Sequence, residues 1–173
     1  MSKEISQCIH DKHPTDRPKT TAMTTSTERT MITSAHYIDC ILNEEIMFQN
    51  SCYFFSHDKH NTWFESQKYC KQRNSDLAVI KSSTEQQFLK LRTALDGGFY
   101  WIGLQNAGAE TWKWVDGTVC DVHNKSTAFF VNGKPSSRET DEDCAFMTYP
   151  DGLWDTEKCG FSYRWVCERK INK

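Results

Sequence analysis

Eight cysteines, at positions 8, 40, 52, 70, 120, 144, 159 and 167, dominate the reactive groups of this 173-residue chain. No two have Cys-x-x-Cys spacing, which argues against a zinc ribbon or a dithiol redox motif. So many thiols in a small chain fit a disulfide framework, and that demands an oxidising compartment. One polar stretch and the residues just after it carry Lys134-Pro135-Ser136, Arg138, Glu142-Asp143, Tyr149 and Asp155-Thr156. Carboxylates and hydroxyls of this kind accept hydrogen bonds or hold a hard cation. The patterns of catalysis are missing: there is no His-Glu-x-x-His, no Gly-x-Ser-x-Gly and no phosphate-cradling glycine loop. Recognition, not catalysis, is the expected work. Cys8, His10 and His13 are three potential metal ligands on one tail, but a loose tail is a poor metal site.

Composition narrows the partners. The net charge is −2, too little positive field for nucleic acid. No run of about eighteen apolar residues is present, so no membrane span is encoded. The first thirteen residues are polar and charged and lack the apolar core of a secretory leader. The cysteines outweigh that. The expectation is an extracellular domain, secreted or the ectodomain of a membrane protein, with its true start missing.

The elements that must position these groups follow from pattern. Residues 1–39 have no apolar period of either 2 or 3.6 and are rich in Thr and Ser, predicting a disordered tail or stalk before a folded domain at 40–173. Ile46-Met47-Phe48 and Cys52-Tyr53-Phe54-Phe55 read as a hairpin. Thr62 and Glu65 have capping-box spacing before a helix running to about Arg73, and Ser83 with Gln86 suggests a second. Leu77–Ile80 reads as a strand. Tyr100-Trp101-Ile102-Gly103-Leu104 is the most apolar strand candidate, and Gly103 marks a close backbone approach. In Trp112-Lys113-Trp114, alternation puts both tryptophans on one face. Residues 117–142 form a long polar loop, of the kind that carries function, with a glycosylation sequon at Asn124. Strands return at 144–149, 153–155 and 163–168. Helices early and strands late make an α+β pattern.

In order along the chain, the Trp63-to-Cys70 helix, Trp101-Ile102-Gly103-Leu104, Trp112-x-Trp114-x-Asp116-Gly117, Glu142-Asp143-Cys144, Gly152-x-Trp154 and Trp165-x-Cys167 closely resemble a C-type lectin-like domain. The resemblance covers Cys40 to about Glu168. It implies two helices, two small antiparallel sheets and a long loop region stapled by disulfides. It also implies the pairs Cys70–Cys167 and Cys144–Cys159, with Cys40–Cys52 as in the long form of the fold. Cys8 and Cys120 are left over; they bridge each other, link two chains into a disulfide-linked dimer, or, for Cys120, stay as a buried thiol.

In calcium-dependent members of that family, a Glu-Pro-Asn or Gln-Pro-Asp triplet, a Glu and a Trp-Asn-Asp triplet hold one Ca²⁺, and the sugar binds the ion. The matching positions here are Lys134-Pro135-Ser136, Glu142 and Trp154-Asp155-Thr156. Ca²⁺ wants six to eight oxygens, several of them carboxylate. Lys134 offers an ammonium instead, and Ser136 and Thr156 offer only hydroxyls. The expectation is that this ion is lost, a weakly held Ca²⁺ being the alternative, and that Lys134 pairs with Glu142 or Asp155. The ligand, a glycan or a cell-surface protein, is then expected on Phe129, Lys134, Ser136, Arg138, Glu142, Tyr149, Asp155 and Thr156. Phe130 is the expected core member of the Phe129-Phe130 pair, and Phe129 the expected exposed one. The alternative reading is a calcium-assisted lectin with a remodelled site.

Overall fold

The computed structural model describes residues 26–108, 111–124, 128–135 and 143–171. Its element order is α1 (Ser26–Leu42), β1 (Ile46–Phe48), β2 (Ser51–Phe55), α2 (Trp63–Gln72), β3 (Asp76–Leu77), α3 (Ser83–Asp96), β4 (Tyr100–Asn106), β5 (Trp112–Trp114), β6 (Cys144–Met147), β7 (Trp154–Glu157) and β8 (Arg164–Lys170). This is the α+β architecture expected, with one helix more.

That helix corrects the expectation for residues 26–39, which form most of α1 and not irregular chain. Thr and Ser there hid a helix that ends on the domain. Its last turn is held by Cys40, disulfide-bonded to Cys52 on β2. Arg169 reinforces it, reaching Asp39 at 2.8 Å and Glu45 at 2.6 Å. So the Cys40–Cys52 bridge ties a helix to the β1–β2 hairpin. Cys70–Cys167 and Cys144–Cys159 also form as expected.

The helix starts follow capping chemistry. The Glu65 amide donates to Thr62 Oγ1 at 3.3 Å, and the Thr62 amide donates back to Glu65 Oε2 at 3.2 Å. The second start falls one residue earlier than the Ser83–Gln86 spacing suggests: Ser82 is the N-cap and accepts from the Glu85 amide at 3.1 Å. Gln86 is thereby released for a different contact, described below.

The sheet has the strand order β1-β2-β8-β4-β6-β7, with β3 beside β8 and β5 beside β4. Two antiparallel halves are joined by a short parallel contact of β4 with β8, Tyr100 opposite Arg164 and Trp101 opposite Trp165. β4 is the central strand and is buried from Tyr100 to Leu104. Gly103 does mark a close approach. Its amide donates to Ala78 O at 2.8 Å, its carbonyl accepts from the Val115 amide at 2.8 Å, and a Cβ there would stand 2.6 Å from Leu77 O. The chain from Leu77 to Ile80 is buried as expected, but only Asp76–Leu77 pairs as a strand; beyond it the Ala78 amide donates to Val166 O and its carbonyl accepts from the Gly103 amide. Trp112 and Trp114 share the buried face, with Lys113 exposed between them.

Candidate functional site

The hub of the site is Trp154 on β7. Burial of an indole costs its N–H unless that group is paired, and here Trp154 Nε1 donates to Gln86 Oε1 at 2.9 Å. The other end of the Gln86 amide donates to the Gly152 carbonyl. One α3 side chain thus fixes both the β6–β7 turn and the tryptophan. The backbone of Trp154 holds the long loop: its amide donates to Phe129 O and its carbonyl accepts from the Val131 amide, each at 2.8 Å. Rings close around the indole, with centroids 5.3 Å away for Trp114, 5.4 Å for Phe130 and 5.5 Å for Phe129, all near-perpendicular.

This geometry corrects one assignment. Phe130 is core as expected, but Phe129 is half-buried, its ring laid on Trp154. The reason is the parallel bridge between Phe130 and Trp154, which brings the loop along β7 so that both rings find apolar cover.

Alternation along β7 buries Trp154 and Thr156 and leaves Asp155 and Glu157 partly exposed. Past the bridge the loop turns, the Lys134 amide donating to Val131 O at 3.1 Å, and the Lys134–Pro135 peptide is cis. Lys134 Nζ then lies 3.5 Å from Asp155 Oδ1 and 3.3 Å from Thr156 Oγ1. The same Asp155 oxygen accepts from the Thr156 amide at 2.7 Å. The lysine and aspartate side chains are 23% and 30% exposed, so water screens their attraction only in part.

Of the eight expected ligand-binding residues, the structure brings Lys134, Asp155 and Thr156 together and lays Phe129 behind them. Tyr149, 52% exposed, stands on the β6–β7 turn, beyond the Met147–Trp154 pair. Ser136, Arg138 and Glu142 lie outside the described residues. Asn124 is exposed and sits in a turn, its amide donating to Asp121 O at 3.1 Å. Cys120 is a buried free thiol, pushed up to about 11 by burial and then by the charge of Asp121. Cys8 lies outside the described residues.

Among the described residues, Lys134, Asp155 and Thr156 occupy the positions at which calcium-dependent members of the family hold the ion. An ammonium stands where a liganding oxygen is needed, in contact with two of the groups that would face the ion. A fixed positive charge that close opposes a divalent cation by several times thermal energy. A second cluster, Cys40, Glu45 and Cys52, places three potential ligand atoms within 4.8 Å of one another. Its sulfurs are joined to each other and Glu45 is taken by Arg169, which removes it as a metal site.

Sequence reasoning missed two things. Gln86 was legible only as a cap residue, and its role depends on the α3–β7 packing. A buried polar cluster was also invisible: Tyr53 Oη donates to Glu85 Oε1 at 2.6 Å and to Glu168 Oε1 at 3.2 Å, Ser51 Oγ donates to Glu168 at 2.8 Å, and the Lys81 amide donates to Glu85 Oε2 at 2.9 Å. Burial, with the nearby Glu168 charge, raises the Glu85 carboxyl above its usual range despite those donors. The one signal was a glutamate directly after Cys167 in an apolar strand.

Fold and disulfides together define a domain of the C-type lectin type. The family model for the lectin C-type domain matches residues 59–169, and the chain belongs to that family. It is 40% identical over 126 residues to asialoglycoprotein receptor 2 of Homo sapiens, a match that spans 72% of this chain but only 39% of the receptor. Among solved structures, the C-type lectin domain of murine dendritic cell inhibitory receptor 2 in complex with N-glycan is similar, with TM-score 0.63 and 30% identity over 73% of this chain and 96% of that one. A calcium-independent type II antifreeze protein is similar too, with TM-score 0.63 and 25% identity over 74% and 92% of the two chains. No helix among the described residues is long and apolar enough to cross a membrane.

Proposed function

We propose that this chain is a non-catalytic extracellular recognition module that takes a carbohydrate or protein ligand on the loop surface around β7, without calcium. The observation that carries this reading is the Lys134 ammonium, 3.5 Å from Asp155 and 3.3 Å from Thr156. It neutralises from within the protein the acidic group that an ion would otherwise neutralise. The loop is then held by Trp154, Gln86 and an internal ion pair, a rigid frame that needs no metal. The calcium-independent antifreeze protein is a precedent for this fold without the ion, and the N-glycan complex supports a glycan as one ligand class. Three disulfides support an oxidising, extracellular setting.

A glycan array probed in millimolar calcium and again in EDTA tests the reading. Glycan binding that survives EDTA supports it in its carbohydrate form. No glycan binding in either buffer points to a protein ligand, to be sought with the same domain as bait. Binding abolished by EDTA would overturn calcium independence.

A further inference from the structure

Away from Lys134, one stretch of surface is built of aromatic rings. Phe99, just before β4, is 42% exposed, and Phe161, in the turn between β7 and β8, is 49% exposed. Between them lies the half-buried Tyr163, its ring centroid 5.5 Å from Phe99 and 6.5 Å from Phe161. Phe146 on β6 packs against two of them, 4.9 Å from Tyr163 and 5.3 Å from Phe99. Rings that reach water side by side form a patch, not scattered surface residues. The patch is held in place. Tyr163 and Asn61 exchange both backbone hydrogen bonds, at 2.9 and 3.1 Å, the Trp63 amide donates to Cys159 O at 3.0 Å, and Cys159 is bridged to Cys144. A surface already fixed loses little freedom on binding.

The patch is bordered by negative charge. On β7, Asp155 is directly opposite Phe146 and Glu157 directly opposite Cys144, so both carboxylates stand on the aromatic side of the sheet. Lys134 balances Asp155. Glu157 has no such cation: among the described residues its carboxylate accepts only from the Lys158 amide, at 2.9 Å, and the Lys158 side chain is engaged by another group. Burial, and then the charges of Glu157 and Asp155, raise the Tyr163 hydroxyl above its usual range, so the acidic field reaches the rings.

We propose that the Phe99–Tyr163–Phe161 patch docks a protein partner through an arginine or lysine flanked by apolar side chains, the cation lying over the rings and meeting Glu157. Ring faces are electron-rich and attract a cation, and a carboxylate beside them completes the site. A protein is favoured over a glycan because the rings make no flat floor: Phe99 stands at 72° and Phe161 at 30° to Tyr163. A sugar ring stacks on a flat face, whereas side chains interdigitate with tilted rings, and aromatic residues are enriched where proteins meet. The inference rests on the reading of this chain as a recognition module in its protein-binding form, but it uses the rings and Glu157 and not Lys134.

The test takes its probes from a random peptide library on phage, selected on the immobilised full chain in EDTA. The recovered peptides are expected to carry Arg or Lys beside apolar residues. Their synthetic copies should lose at least about tenfold in affinity against Phe99→Ala with Phe161→Ala. Glu157→Gln should weaken them about threefold, and binding should fall as salt rises. Both phenylalanines are exposed, so near-ultraviolet circular dichroism of the tryptophan core should not change; if the pair unfolds, Glu157→Gln and the salt dependence still decide. Retention of no peptide, or of peptides without basic residues, would overturn the proposal. So would affinity that falls with Lys134→Ala and Tyr149→Ala but not with the phenylalanine pair, which would leave the loop around β7 as the protein site. Glycan binding in EDTA that disappears in the phenylalanine pair would assign the patch to sugar and overturn it as well. Peptides that need the phenylalanine pair, beside glycan binding indifferent to Lys134→Ala and Tyr149→Ala, would uphold this inference and count against the loop surface.

Discussion

If the Lys134–Asp155 pair stands in for an ion, its two halves must be energetically coupled. At 3.5 Å two unit charges attract by about 1.2 kcal/mol in bulk water and by about 5 kcal/mol at an effective dielectric of about 20. The pair is about one quarter exposed, so the true field lies between these limits. Ordering a long lysine and desolvating both groups offset most of it, leaving an expected coupling of about 1 kcal/mol. The measurement is a double-mutant cycle of Lys134→Ala and Asp155→Ala, read by urea unfolding in EDTA. Each single variant is expected to lose about 1 kcal/mol and the double variant little more than either. At about 1 M salt, where the screening length is about 3 Å, the coupling should fall by at least half. A coupling within error of zero at low salt would refute the internal counter-ion. The converse change makes the same point with calcium. Lys134→Glu, Ser136→Asn, Asp155→Asn and Thr156→Asp together restore the oxygen ligands. Calcium at ten times its dissociation constant should then stabilise that variant by about 1.4 kcal/mol more than it does the parent.

Three further outcomes follow from the frame. Gly103→Ala pushes a methyl to within 2.6 Å of Leu77 O and 2.8 Å of Val115 Cγ2, and should cost about 3 kcal/mol in urea unfolding; a loss under about 0.5 kcal/mol would mean that β3 and β4 can part. Glu85 has its carboxyl raised by burial, so its contribution is most favourable below the unfolded pKa and is lost as pH rises through the folded one. Glu85→Gln should therefore gain on the parent as pH increases from acid to neutral in EDTA, and parallel pH curves would contradict that. Cys120, pushed up to about 11 and buried, should resist a thiol reagent at neutral pH in the folded protein and react at once in denaturant. Rapid native labelling would place the thiol at the surface.

Local chemistry is what the sequence determined. The Thr62–Glu65 capping box, the buried run through Trp101, Ile102 and Leu104, the tight approach at Gly103 and the alternation of Trp112 and Trp114 each depend on residues a few positions apart, so they were legible. The eight cysteines were legible as a framework, though only the resemblance to a known family supplied their pairing. The altered triplets, Lys134-Pro135-Ser136 and Trp154-Asp155-Thr156, were also plain in sequence, as was an ion pair for Lys134 with one of two acids.

Tertiary structure brought Lys134 to Asp155, because the laying of the loop along β7 sets the two side by side. It assigned Gln86 to Trp154 and Gly152, since a glutamine on α3 has no partner until the β6–β7 turn packs on it. It put Phe129 on the Trp154 ring, where sequence could only choose between exposure and burial. It gathered Tyr53, Glu85 and Glu168 from three separate elements into one buried cluster. And it turned a Thr-rich segment into α1, because a helix this short is decided by what its ends can dock against, here Cys52 and Arg169, and not by propensity alone.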